Sequence, residues 1–228
     1  MESNERGVRN AERGKPITLV CFAVKEEAVT FRRFSTDYDG IEILIAGMGR
    51  RNSERELRKK LEVLTPSLVL TCGFAGALNP DLKIGDVLFE ADANSGLAEE
   101  LQAAGGRLVK FHCVSRVAVT VAEKTELRRV TGADAVEMES EIIRAICREK
   151  NIPGATVRAV SDMANEDLPL DFNAVMTEEQ TISFSKLALA LAKSPGSIPR
   201  LMQLQLNTRL AAQRLAEVLQ KLLNRSGS

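Results

Sequence analysis

The sequence predicts a three-layer α/β/α domain followed by a long C-terminal helix. Three observations carry this expectation. Short apolar runs of strand length alternate with helical segments from Ile17 to Val160. Several of these runs end in small or acidic residues, and open α/β folds bind ligands just outside the carboxyl ends of their strands. Residues 199–223 instead repeat apolar side chains at alternating spacings of three and four.

Residues 1–15 are polar and charged and are expected to be a disordered lead-in. Ile17–Val24 reads as a buried strand, too short and too β-branched for a core helix. Lys25 begins a helix toward Phe34, and Glu26 and Glu27 suit its first turn because of the positive dipole end. Ile41–Ala46 is a second strand that runs into Gly47-Met48-Gly49. Asn52 or Ser53 is expected to cap the next helix, which ends before Pro66.

Ser67–Thr71 is a third strand, and the small residues Gly73-Phe74-Ala75-Gly76-Ala77 read as a turn after it. That turn is either close-packed or a backbone N–H cradle for an anion or a sugar hydroxyl. Ile84–Glu90 is a strand, and Gly96–Gly106 is a short helix with a glycine stop. Val109–Val121 holds one or two strands, and Ala122–Val130 is a helix ending at Thr131-Gly132. A helix from Glu139 to Lys150 presents Ile142, Ile143 and Ile146 on one face, and Ala155–Val160 is the last strand.

Thr181–Lys193 is an apolar helix, and Ser194-Pro195-Gly196 separates it from the final one. The final stripe is Leu201, Leu204, Thr208, Ala211, Leu215, Val218 and Leu222, beside Arg200, Arg209, Arg214, Lys221 and Arg225. It fits a helix packed on its own domain, a dimer seam, or a basic amphipathic helix on a membrane surface. The expected organisation is a lead-in over 1–15, a domain over 16–193, and an appended amphipathic helix over 194–228.

Composition narrows the function. The 228 residues are 44% hydrophobic, enough for a real core, and cations and acids balance at 31 each. That balance supplies no broad field for nucleic acid. The four cysteines lack C-x-x-C spacing and read as free thiols, and a single histidine, His112, excludes a His-rich zinc site. No run approaches the ~18 apolar residues of a membrane span. The N-terminal residues lack the apolar centre of a signal peptide, so a cytoplasmic protein is expected.

Candidate chemistry concentrates between Gly132 and Phe172. Glu137 and Glu139 stand at a helix start, and Asp162 follows an apolar run. Taken alone, all three acids also fit ordinary surface charges.

Four motifs together resemble the purine nucleoside phosphorylase and methylthioadenosine/S-adenosylhomocysteine nucleosidase superfamily. They are A-V-K-E-E-A, A-G-M-G, T-C-G-F-A-G-A-L-N-P-D-L-K-I-G-D-V, and the bipartite A-V-E-M-E-S with V-R-A-V-S-D-M-A. They occur in the family's order and span Ile17–Asp162. A-E-K-T-E-L-R-R-V-T-G-A-D-A-V-E-M-E-S and S-P-G-S-I-P-R-L are similar to the hopanoid-associated branch, which acts on adenosylhopane.

The resemblance implies a central twisted mixed sheet and cleavage of the N-glycosidic bond of an adenine nucleoside carrying a 5′ substituent. It implies Asp162 as the acid that protonates purine N7, kept protonated by burial, with Ser161 orienting it. Glu139 would accept bonds from the ribose hydroxyls, and Met138 would pack on the sugar. Glu27 aligns with the acid that activates water, and Phe172 with an aromatic beside the 5′ group. Gly49, Gly73, Phe74 and Ala75 complete the implied binding set. Glu137 is expected to be a solvated bystander.

No metal or other cofactor is expected, and a homo-oligomer, with a dimer favoured, is. Hydrolysis is preferred to phosphorolysis, because Thr71 stands where hexameric phosphorylases hold phosphate with an arginine. Phe74 in place of a serine, and Arg50 and Arg51 after Gly49, favour the phosphate alternative. The short segment from Glu90 to Ala135 suggests an open base pocket suited to a large 5′ group, with peripheral membrane contact through the last helix. A non-catalytic nucleoside-binding or oligomerising protein is the remaining alternative.

Overall fold

The computed structural model describes residues 16–35, 38–92, 95–177, 181 and 183–226. The lead-in expected at 1–15 lies outside the described residues. The strands are β1 (Thr18–Phe22), β2 (Ile41–Ile45), β3 (Leu68–Ala77), β4 (Val87–Ala91), β5 (Arg107–Leu108), β6 (Phe111–Cys113), β7 (Ala135–Glu137) and β8 (Gly154–Asp162). They form one mixed sheet in the order β2-β1-β3-β8-β4-β5, with β7 pairing β3 and β6 pairing β7. β1, β2, β3 and β8 run parallel, whereas β4 is antiparallel to β8 and β7 is antiparallel to β3.

The helices are α1 (Lys25–Ser35), α2 (Gly49–Leu61), α3 (Leu97–Ala104), α4 (Val121–Thr131), α5 (Ser140–Glu149), α6 (Phe172–Val175), α7 (Phe184–Lys193) and α8 (Ile198–Ser226). The period-two alternation of β1 sorts them into layers. Val20 and Phe22 pack with Phe31 of α1, Leu101 of α3 and Leu215 of α8. Leu19 and Cys21 pack with Leu57 of α2 and Ile142, Ile143 and Ile146 of α5. This is the three-layer α/β/α arrangement expected.

Three local expectations need correction. The small residues 73–77 are not a turn but the second half of β3. The strand stays paired with β8 as far as Gly76 and meets β7 at Gly76 and Ala77, with a register shift between Ala75 and Gly76. Its glycines serve close side-chain approach: a Cβ on Gly76 would stand 3.0 Å from Asp162 Oδ2. Asn52 and Ser53 do not cap α2, whose N-cap is Met48. They are the fourth and fifth residues of the helix, where their side chains donate back to the carbonyls of Met48 and Gly47 at 3.0 and 3.1 Å. The segment 135–137 is strand rather than helix approach, so Glu137 ends β7 and Glu139 is the N-cap of α5.

The helix read as an appendage supplies part of the central core. Ala211, Leu215, Ala216, Val218, Leu219 and Leu222 are buried against β3, β8 and α1. The stripe therefore packs on its own domain along this half. Each large side chain so buried contributes about 1.5–3 kcal/mol. The first half of α8 leaves Ile198, Met202, Leu206 and Leu210 exposed.

Candidate active site

A cavity of about 280 Å³ opens where the carboxyl ends of β1, β3 and β8 meet β7. Glu27, Phe74, Ala75, Met138, Glu139, Ser161, Asp162 and Phe172 all line it. Sequence reasoning had named each of them. Gly49 and Gly73 stand behind the wall instead. The Gly49 amide donates to Glu139 Oε1 at 2.9 Å, and Gly73 (φ 151°) leaves room for the side chains of Arg158 and Glu27.

Glu27, in the first turn of α1, is buried. Its Oε2 accepts from the amides of Ala23 at 2.9 Å and Val24 at 3.2 Å, and its Oε1 accepts from Phe74 at 3.0 Å. The Phe74 amide expected to cradle substrate thus holds a catalytic candidate. Burial pushes the Glu27 carboxyl up from its ordinary value, and Arg158 and the three amides only partly oppose this.

Arg158, on β8, lines the cavity beside Glu27 and Glu139. A charged residue in a strand buried on both faces needs partners, and Nη2 donates to Glu137 Oε2 at 2.8 Å, Glu139 Oε2 at 3.1 Å and Thr71 Oγ1 at 3.3 Å. Burial works against its charge, but Glu137, Glu139 and Glu27 outweigh that and hold it as a guanidinium.

Glu137 is not the solvated bystander expected. It is 4% exposed and accepts from the amides of Glu139 and Ser140 and from the Ser140 hydroxyl. Burial raises its carboxyl, yet Arg158, the Ser140 hydroxyl and these amides together take it below the ordinary value. The reason it is buried is its place at the end of β7, where it anchors both Arg158 and the start of α5. Glu139 differs. Burial, together with Glu137 and Glu27, pushes it to about 7 against the pull of Arg158. Two carboxylates two positions apart are thus pushed in opposite directions.

Asp162 ends β8. Its Oδ1 accepts from the Ser161 hydroxyl at 2.9 Å, the orienting contact expected. Its other oxygen, Oδ2, accepts from Lys124 Nζ at 2.7 Å, and the Lys124 side chain is 1% exposed. The acid is one half of an ion pair.

Sequence reasoning missed several lining residues. Met48, Val114, Val117, Ala118 and Val136 give the wall an aliphatic character, and Leu168, Met176, Leu204 and Thr208 extend it. Phe111, on β6, packs against the cluster that holds Ala75 and Ala135 and does not line the cavity. A second hollow of about 460 Å³ shares Asp162, Leu168 and Leu204 with the first and runs between residues 165–169 and α8. Among the described residues, no group of three His, Cys, Asp or Glu side chains is placed to hold a metal ion.

The family model described as the phosphorylase superfamily matches residues 89–194, which include β7, Met138, Glu139 and β8 with Asp162. A 5′-methylthioadenosine/S-adenosylhomocysteine nucleosidase of Staphylococcus carnosus is 25% identical to it over 199 positions, covering 73% of this chain and 87% of that protein. One from Staphylococcus aureus strain MRSA252 is 26% identical over 193 positions, covering 68% and 84%.

Among solved structures, a futalosine hydrolase mutant of Helicobacter pylori superposes with a TM-score of 0.67 at 16% identity, over 92% of this chain and all of that one. The Neisseria meningitidis methylthioadenosine/S-adenosylhomocysteine nucleosidase bound to methylthio-immucillin-A gives 0.67 at 17%, with the same coverage. These likenesses bear on the fold alone.

Proposed function

We propose that this protein belongs with the phosphorylase superfamily and hydrolyses the N-glycosidic bond of an adenine nucleoside that carries a 5′ substituent. The observation that carries this reading is one cavity lined by two acids in opposite settings. Glu27 is held by the amides of Ala23, Val24 and Phe74, while Asp162 is held by the Ser161 hydroxyl and the Lys124 ammonium. Two fixed carboxyl groups on different elements of one cavity suit separate work on the attacking water and on the leaving base.

Glu27 takes a proton from water as the water oxygen adds to C1′ of the ribose. The C1′–N9 electron pair leaves with adenine, which Asp162 protonates at N7. Glu139, as a carboxylate, accepts bonds from the ribose hydroxyls, and these strengthen as positive charge develops on the ring. Met138 packs on the sugar. The chain's own residues supply every step.

Phosphorolysis is the weaker reading. The cation on the cavity wall, Arg158, is already committed to Glu137 and Glu139. Arg50 lies outside the wall, exposed, with Nη1 3.7 Å from Glu141. A buried acid at Glu27 would also repel a phosphate dianion.

The 5′ substituent would run along Leu168, Phe172, Met176 and Leu204, an apolar path that suits a lipid-linked group. An adenosylhopane-type substrate, suggested by the hopanoid-associated motifs, is consistent with it. The protein would then work at a cytoplasmic membrane surface. Phe184 of α7 is 84% exposed and Met202 of α8 is 63% exposed. From Thr181 to Ala216 the chain carries Lys186, Lys193, Arg200, Arg209 and Arg214 and no acid. Exposed apolar groups among cations favour an anionic bilayer over a second copy of the same cationic face. No helix among the described residues is long and apolar enough to cross a membrane.

The test is a time course of adenine release from adenosine, methylthioadenosine and an adenosyl-lipid, with and without phosphate. Release independent of phosphate and lost in Asp162→Asn is expected. Release only with phosphate overturns hydrolysis, and no release from any substrate overturns the enzyme reading.

A further inference from the structure

Lys124 is an unusual residue for its position. It lies in the first turn of α4, where the positive end of the helix dipole disfavours a cation. It is fully buried, and an ammonium taken out of water gives up its solvation. All three of its protons are used: Nζ donates to Asp162 Oδ2 at 2.7 Å, to the Met163 carbonyl at 2.6 Å and to the Glu166 carbonyl at 3.0 Å.

The segment after β8 is already tied to α4 and to the stretch before it without this lysine. The Val121 amide donates to Asp167 Oδ1 at 2.7 Å, the Leu168 amide to the Val119 carbonyl at 2.8 Å, and the Asn173 amide group bonds both backbone atoms of Val117. A buried charge is a costly addition to that set. Its distinctive contact is the one with Asp162.

We propose that Lys124 is the positioning residue of Asp162 and the source of the proton that Asp162 delivers. This rests on the reading of Asp162 as the acid that serves the leaving purine. With Ser161 on Oδ1 and Lys124 on Oδ2, both carboxylate oxygens are held, so the carboxyl cannot rotate away from its task. The lysine also resolves how an ion-paired acid donates. The Lys124 Nζ–H bond breaks as an Oδ2–H bond forms, which leaves a neutral amine beside a neutral carboxylic acid. The pair has zero net charge before and after, so the transfer buries no new net charge. Asp162 then loses that proton to adenine N7 as the C1′–N9 bond breaks. The pair regains a proton from solvent after adenine departs, and the proton left on Glu27 by the attacking water returns to solvent.

The test compares two leaving groups in the full-length protein. Methylthioadenosine needs a proton on its base, whereas p-nitrophenyl β-D-riboside releases a stable phenolate without one. In Lys124→Met and Lys124→Gln, kcat on methylthioadenosine is expected to fall by about 10²–10⁴ with little change in KM. Cleavage of the nitrophenyl riboside should stay near the wild-type rate. Asp162→Asn should show the same selectivity.

Equal losses on both substrates in folded Lys124 variants would show that Lys124 only pins the chain, and would overturn the proposal. Loss of the fold in both variants would do the same. If Asp162→Asn itself loses both substrates equally, or wild type cleaves neither, the reading of the site fails before Lys124 is in question.

Discussion

Glu27 and Arg158 share the space that a side chain on residue 73 would need. A Cβ there would stand 2.6 Å from Glu27 Oε1 and 2.5 Å from Arg158 Nη1. Gly73 is thus what lets a buried acid and a buried guanidinium sit side by side in the cavity wall. Its φ of 151° adds backbone strain for any other residue. Gly73→Ala should lose about 1–3 kcal/mol of stability and most adenine release, because neither neighbour can move without breaking its own bonds. Denaturant unfolding and initial rates measure this. A stable, fully active variant would show that the two side chains do not occupy that space.

Glu27→Gln keeps the shape but cannot take a proton from water. Turnover should fall by about 10²–10⁴ while nucleoside affinity by calorimetry changes little. An equal fall in affinity would assign Glu27 to binding rather than to the nucleophile.

Glu139 makes stability depend on pH in a definite direction. Its carboxyl is raised to about 7 in the fold from an ordinary value of 4.5. Between those values the folded protein keeps a proton that the unfolded chain has released. Its contribution is therefore present at low pH and lost as pH rises through 7. Glu27 is raised as well and acts in the same sense. Melting temperature should fall from pH 5 to pH 8, with a slope from Glu139 no steeper than about 1.4 kcal/mol per pH unit. Glu139→Gln should flatten the curve; an unchanged slope would mean that Glu139 is not the titrating group.

The two halves of α8 should respond differently to substitution. Leu215→Ala opens a hole in the core and should cost about 2–5 kcal/mol. Met202→Gln with Leu206→Gln changes exposed positions and should shift stability by less than about 0.5 kcal/mol. The double variant should nonetheless pellet less with anionic vesicles than wild type does. Equal sedimentation, or recovery of both proteins in the soluble fraction, would remove the membrane proposal. Gel filtration of the same pair shows whether the stripe meets a second copy instead.

The layers and most elements were legible in the sequence because each rests on a short-range signal: β-branched runs, glycine stops and the isoleucine face of α5. So were the acids of the cavity, since motif order carried them. What escaped depended on contacts distant in sequence. The run at 73–77 reads as a turn because small residues are frequent in turns, yet here they make room for Arg158, Glu27 and Asp162. Glu137 resembles any helix-start acid until Arg158 is placed beneath it. Arg158 left a usable trace, a lone cation inside an apolar strand. The T-V-A-E at the start of α4, with Thr120 and Glu123 capping reciprocally, was also readable. Lys124, one residue further on, leaves no local sign, because its partner is thirty-eight positions away.

α8 gives the cavity two walls of unlike stiffness. Leu204 and Thr208 belong to the same unbroken helix as Ala211, Leu215 and Leu222, so shifting them toward or away from a ligand drags the core. Across the cavity, Phe172 and Met176 are joined to α7, which has no buried residue. One wall of the pocket thus belongs to the core helix, and the other to a short helix outside the main core clusters. Divergence toward bulkier or slimmer 5′ groups is then cheapest through changes at Phe172 and Met176, and relatives with other substrates should differ there before they differ along α8.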